Sequence, residues 1–180
     1  MRSKQDDMLR RRFTKLLAFL AFSALVTNSC SRVAVAHSHG LTTRQEVKRL
    51  VIEEAKQMRV SISLALAVAH VESNFNPRAL SLKGARGVMQ IMPFTAKGEY
   101  GIAADLLWHP RINVRLGLNF LRRLLKRYDG RSDLALSYYN GGSAVGDLPD
   151  ARVIPITARY IAKVYKMRRY YRRQLRRGDT

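Results

Sequence analysis

Cysteine is all but missing from this 180-residue chain, with Cys30 the only one, so no internal disulfide can brace the fold. Carboxylates are scarce as well: 13 Asp and Glu face 33 Lys and Arg, a formal charge of +20. Such an imbalance calls for a polyanionic partner, an anionic polymer matrix or a membrane surface, and does not choose among them. No uninterrupted apolar run approaches the ~20 residues that a membrane-crossing helix needs. Metal-ligand spacing is absent, because His37 and His39 sit near the N-terminus, His70 is isolated on an apolar segment and His109 precedes a proline. There is no Gly-x-Ser-x-Gly elbow and no phosphate-cradling glycine loop. Neither a metal nor another cofactor is expected.

What is present begins with an N-terminal segment of distinct composition. Arg10-Arg11-Arg12 and Lys15 lead into an apolar stretch of 11 residues, Leu16 to Val26, followed by the small-residue site Ala34-Val35-Ala36. This is the order of a secretory signal peptide, predicted over residues 1–36, with the mature chain starting at His37 in the periplasm or outside the cell. Two other readings remain at this stage. Cys30 as a lipidation site lacks the usual apolar residue three places earlier. Arg10 to Lys15 also resembles a twin-arginine signal, although a cofactor-free domain has no need to fold before export. Cleavage after Ala36 leaves 26 Lys and Arg against 11 Asp and Glu, and no cysteine.

The remaining chain reads as one all-α domain with a minor irregular or β element, over residues 44–166. A mobile leader precedes it at 37–43, and a basic tail follows at 167–180. Thr43-Arg44-Gln45-Glu46 fits a capping box for a helix from Arg44 to about Met58. Ser61 or Ser63 caps a second helix from Ile62 to about Glu72, apolar all round and therefore buried. Asn74-Phe75-Asn76-Pro77 stops it. Ser81 to Pro93, with Gly84 and Gly87, is irregular and has room for a small hairpin. Pro110 opens an amphipathic helix to about Tyr128, Ser132 caps a short one through Tyr138, and a last helix from about Thr157 fades into the tail.

Elimination leaves carboxylate chemistry. Glu46 closes the capping box, Glu53 and Glu54 lie on a helix with neighbouring lysines, and most of the aspartates sit in turns or loops. Glu72, Glu99 and Asp105 remain. Glu72 ends a buried apolar helix, where the helix dipole and the hydrophobic wall both favour the protonated acid. That state suits a general acid that donates to a glycosidic oxygen. The plainer alternative, a last-turn glutamate held by a backbone amide or paired with Arg78 or Arg86, stays open on position alone.

The surrounding residues narrow the choice. Glu72-Ser73-Asn74-Phe75-Asn76-Pro77, then Ser81, then Gly84-Ala85-Arg86-Gly87-Val88-Met89-Gln90-Ile91-Met92-Pro93 resembles the soluble lytic transglycosylases of glycoside hydrolase family 23, relatives of goose-type lysozyme. Asn113-Val114, Gly117, the segment Ala135 to Gly142 and Tyr160-Ile161-Ala162-Lys163-Val164 continue the match in order. The resemblance implies that Glu72 is both acid and base, and that Ser73, Ser81, Gln90, Met92, Tyr139, Asn140 and Tyr160 belong to a sugar-binding cleft. It further implies cleavage between N-acetylmuramic acid and N-acetylglucosamine with closure of a 1,6-anhydro ring, which needs one carboxylate only. Val88, Tyr138 and Gly141 depart from the family's usual residues, and Ile156 stands where a glutamate is frequent.

Other readings are a lysozyme-type hydrolase of the same bond, for which only Glu99 or Asp105 could be the second carboxyl, and a non-catalytic wall-binding protein. A nucleic-acid binder is suggested by Tyr165, Tyr170 and Tyr171 among the arginines of the tail. The export signal argues against nucleic acid. The expected partners are peptidoglycan glycan strands and, as in small relatives of this family, an envelope-spanning secretion or conjugation apparatus. A membrane would be met only through the uncleaved signal or by electrostatic attraction.

Overall fold

A computed structural model describes residues 43–178. The expected signal segment, Cys30, the cleavage site and the leader up to Leu41-Thr42 lie outside the described residues. Among those described, six α-helices and no strand occur: α1 Arg44–Gln57, α2 Ile62–Ser73, α3 Pro93–Tyr100, α4 Pro110–Arg127, α5 Ser132–Gly141 and α6 Ala158–Arg177. Short 3₁₀ turns cover Ala104–Trp108, Ser143–Val145 and Pro155–Thr157. The class matches the all-α expectation, and the minor β element is reduced to two isolated bridges, Leu80 with Arg86 and Arg86 with Ile91.

The capping box forms as its residues require. Thr43 Oγ1 accepts from the Glu46 amide at 3.2 Å, and the Glu46 carboxylate accepts from the Thr43 amide at 3.0 Å. α2 is the hub. Its residues Leu64 to Ala69 are essentially without solvent contact, and it packs on α1 and along α6. Without a polar face it has no stable position except between other helices.

Several local expectations are corrected. Glu54 does not sit on an exposed lysine-bearing face: it is fully buried, accepting from Arg111 Nη1 at 2.5 Å and Arg115 Nε at 2.7 Å on α4. α1 turns this position toward α4, and two arginines are what make a buried carboxylate tolerable. Glu99 lies in helix α3, not in a turn, since Pro93 at the first helical position starts a helix that Gly101 ends in left-handed conformation. Ser132 does not cap α5: Arg131 holds the N-cap position, and the Ser132 hydroxyl meets the Tyr165 hydroxyl at 2.9 Å. Ser61 is the N-cap of α2 but makes no capping bond with its side chain, which meets Ser63 Oγ at 3.2 Å instead. The last helix does not fade at Arg168. It runs unbroken through the expected start of the tail to Arg177, because Tyr171 is anchored in the core three turns beyond Ile161.

Candidate active site

Glu72 is the penultimate residue of α2, and the chain leaves that helix abruptly. Asn74 and Phe75 both adopt the left-handed region, with φ of 51° and 62°. Asparagine enters that region readily, whereas phenylalanine does so at a cost of order 1 kcal/mol or more. The bend is held because the Phe75 ring is buried edge-on against His70 and Tyr171, at centroid distances of 5.7 and 6.2 Å. Asn74 N–H donates to the His70 carbonyl at 2.8 Å, which closes the end of the helix.

The loop from Asn76 to Met92 then folds back beside Glu72, and its fixings explain most of the motif. Asn113 of α4 is fully buried and makes three bonds: it donates to the carbonyls of Arg86 (2.8 Å) and Leu107 (3.0 Å) and accepts from the Met89 amide (2.8 Å). Gly87 is required beside it, since its φ is +74° and a Cβ there would lie 2.5 Å from Asn113 Nδ2. Gly117 serves the same loop from the next turn of α4, where a Cβ would lie 2.4 Å from that of Met89.

Ser73 and Gln90 turn their polar groups to this loop's backbone. Ser73 Oγ donates to the Val88 carbonyl at 2.8 Å and accepts from the Asn76 amide at 3.1 Å. Gln90, itself at φ 48°, donates through Nε2 to the carbonyls of Ala79 and Gly87. Ser81 Oγ accepts from the Ala85 amide at 3.0 Å. All three hold the backbone of this loop. Met92 and Asn140 are both exposed to solvent.

The structure brings Glu72, Tyr139 and Tyr160 together. Tyr160, on the first turn of α6, donates its hydroxyl to Glu72 Oε1 at 2.6 Å. Tyr139 donates to the Met89 carbonyl at 2.9 Å, tying α5 to the loop. Its phenol is pushed well above its ordinary pKa, by burial first and then by the nearby charge of Glu72. Burial raises the Glu72 carboxyl from 4.5 to about 7, and the Tyr160 hydrogen bond pulls in the opposite direction without cancelling it. The arginine pairing left open from sequence does not occur. Arg86 bonds the Ala104 carbonyl and Asp105 and lies over the Trp108 ring at 5.3 Å.

The two carboxylates that could have assisted Glu72 are taken. Asp105 is paired with Arg86 at 3.1 Å, and Glu99 with Arg123 at 2.9 Å. Tyr100 was not singled out from sequence. It lies close enough to Tyr139 to raise that phenol's pKa and carries the Arg123 guanidinium over its ring at 5.6 Å. Asn113 was noted only as part of a motif, and its position one residue after an isoleucine in an amphipathic helix gave no sign of a buried tie. Among the described residues no group of three or more His, Cys, Asp or Glu could hold a metal ion.

A helical domain built around a buried α2, with one uncharged-leaning carboxyl at its end facing a tyrosine-lined site, is of the lysozyme-like class. The family model described as the transglycosylase SLT domain matches residues 49–147, and the chain belongs to that family. It is 39% identical over 97 residues to membrane-bound lytic murein transglycosylase F of Pseudoalteromonas translucida, covering 51% of this chain and 20% of that protein. It is 34% identical over 91 residues to soluble lytic murein transglycosylase of Salmonella typhimurium, covering 46% and 14%. Among solved structures, an inactive glutamate-to-glutamine mutant of lytic transglycosylase Slt from Pseudomonas aeruginosa superposes with a TM-score of 0.62 at 26% identity, covering 72% of this chain and 24% of that one. The chain thus spans a fifth or less of the two curated relatives.

Proposed function

We propose that this protein is a peptidoglycan lytic transglycosylase. Glu72, protonated, donates to the glycosidic oxygen between N-acetylmuramic acid and N-acetylglucosamine. The bond breaks with the leaving sugar taking that proton, and an oxocarbenium-like centre develops at muramic C1. Glu72, now a carboxylate, accepts the proton of the C6 hydroxyl as that oxygen bonds C1 and closes the 1,6-anhydro ring. Atoms balance without water, and the acid is restored to its starting state.

The observation that carries this reading is the Glu72 carboxyl with its pKa near 7, bonded to a phenol and to no arginine. A group poised there is able to give and then take a proton in one turnover. Tyr160 is a positioning residue and a donor to the carboxylate form. Ser73, Gln90, Asn113 and Gly87 fix the loop that walls the site, while Met92 and Asn140, both exposed, are assigned to contact with sugar on the strength of the motif they belong to. The pairing of Glu99 and Asp105 with arginines favours the transglycosylase over a hydrolase, which would need a second free carboxyl to activate water or form an adduct. The relatives' names include both membrane-bound and soluble murein transglycosylases, which supports action in the cell envelope on peptidoglycan strands, after export by the N-terminal signal. Service to an envelope-spanning secretion or conjugation apparatus is part of the proposal.

The test is digestion of purified peptidoglycan followed by mass analysis of the sugar ends. Anhydromuramic ends are expected, and reducing muramic ends would instead assign a lysozyme-type hydrolase. Glu72→Gln should remain folded and lose activity by a factor of at least ~10³, the exchange that also separates the Pseudomonas aeruginosa mutant from its active form. A Gln variant that digests wall near the unaltered rate removes Glu72 from the mechanism.

A further inference from the structure

Helix α6 carries an exposed cationic stripe that the chemistry at Glu72 does not use. The helix contains no Asp or Glu over its 20 residues. Ile161, Val164 and Tyr171 are buried on its inner side. Arg159, Lys163, Lys166, Tyr170, Arg173 and Arg177 follow one another at alternating four- and three-residue steps, which is one line down an α-helix. All six are exposed, Tyr170 at 41%. From Arg159 to Arg177 the line is about 27 Å long at the helical rise. None of its five cations has an ion-pair partner among the described residues, although arginines elsewhere on the molecule are paired with Asp or Glu.

We propose that this stripe docks the protein on the surface of an anionic lipid bilayer. A straight row of unpaired cations, on a helix held rigid by its core-facing side, matches a flat anionic plane. Each cation near such a surface gains by attraction that fades within a Debye length, about 8 Å at physiological salt. Tyr170 stands within the row and is exposed, and tyrosine is a residue that settles at headgroup level, polar tip toward water and ring against the acyl boundary. Single-stranded nucleic acid fits less well. The other tyrosines interleaved with these arginines are turned inward: Tyr165 meets Ser132 Oγ at 2.9 Å and Tyr171 meets His70 Nδ1 at 2.6 Å, so neither ring offers a face for a base.

The experiment is co-sedimentation of the full chain with large unilamellar vesicles of phosphatidylcholine alone or mixed with phosphatidylglycerol, in parallel with binding to a single-stranded DNA of arbitrary sequence. The triple variant Lys166→Glu, Arg173→Glu, Arg177→Glu shares every residue outside α6 with the unaltered chain, so attachment through the N-terminal segment is common to both. Circular dichroism and digestion of solubilised glycan fragments check that the variant is folded and that its Glu72 site works. The expected result is vesicle binding that needs phosphatidylglycerol, weakens with added salt and falls at least ~tenfold in the triple variant, with fragment digestion unchanged. Tyr170→Ala should weaken binding by a smaller factor and leave the salt dependence in place. Equal binding by the triple variant, binding indifferent to phosphatidylglycerol, or tighter binding to DNA than to anionic vesicles would each overturn the proposal.

Discussion

At the scale of single residues, Glu72 and Tyr160 form a coupled pair whose behaviour is readable in a pH profile. The carboxyl must be protonated to donate, and its pKa is about 7, so kcat/KM should fall as pH rises through that value. The Tyr160 hydroxyl, 2.6 Å from Oε1, stabilises the charged form and holds the pKa below where burial alone would leave it. Tyr160→Phe should therefore move the alkaline limb to higher pH while leaving the fold intact. Measuring kcat/KM from pH 5 to 9 on soluble glycan fragments settles the point, and a limb that stays in place or moves down means the phenol does not act on Glu72. Glu72 was marked as a candidate by its place at the end of an apolar helix, and only the resemblance favoured a catalytic role over a plain last-turn glutamate. Tyr160 was legible only through resemblance, because nothing local in Arg159-Tyr160-Ile161 points toward a residue 88 positions earlier.

At the scale of elements, two buried polar residues on facing helices do work that periodicity hides. Glu54 on α1 is gripped by Arg111 and Arg115 of α4, and Asn113 of the same helix ties the loop that walls the site. Glu54→Ala leaves Arg115 without its partner and Arg111 with Glu53 alone, both half-exposed, and should destabilise by about 2 kcal/mol, read from urea midpoints. Asn113→Ala strips the Met89 amide and the Leu107 carbonyl of their partner and leaves the Arg86 carbonyl with the Ile91 amide alone, which should cost about 2 to 4 kcal/mol and also lower kcat by loosening the loop. Loss of stability with kcat untouched would show that the loop's position does not depend on this tie. Helix α2 was legible because an all-apolar segment admits one placement only. Helix α3 was missed because Phe94, Lys97 and Glu99 all face solvent and leave no apolar stripe to count, and the α6 extension was missed because its arginines outnumber the buried residues that anchor it.

At the scale of the whole molecule, the raised pKa of Glu72 makes the fold's stability depend on pH. The unfolded chain ionises this group near 4.5, and the folded chain does so only near 7. Between those values the unfolded state gives up a proton that the folded state retains, so this group's contribution falls as pH rises through the window and is level above it. Glutamine cannot ionise, so Glu72→Gln should become progressively more stable than the unaltered protein from pH 4.5 to 7. The gain at pH 8 is at most about 3 kcal/mol. Thermal melts of both proteins at pH 4 and pH 8 check the sign: coincident Tm values at both would mean that the carboxyl is well solvated. A gain in stability together with a loss of activity is the pattern of a site whose chemistry requires an unfavourable burial.

The enclosure of α2 by its neighbours has one more consequence. Its central amides, around Leu66 to Ala69, have no route to water while the surrounding helices remain in place. In deuterated buffer they should be the last in the chain to exchange, doing so only when the entire domain opens. The proton that the proposed reaction moves in every turnover hangs at the end of the most enclosed helix among the described residues, so chemical lability and mechanical stillness would meet within a single turn of helix.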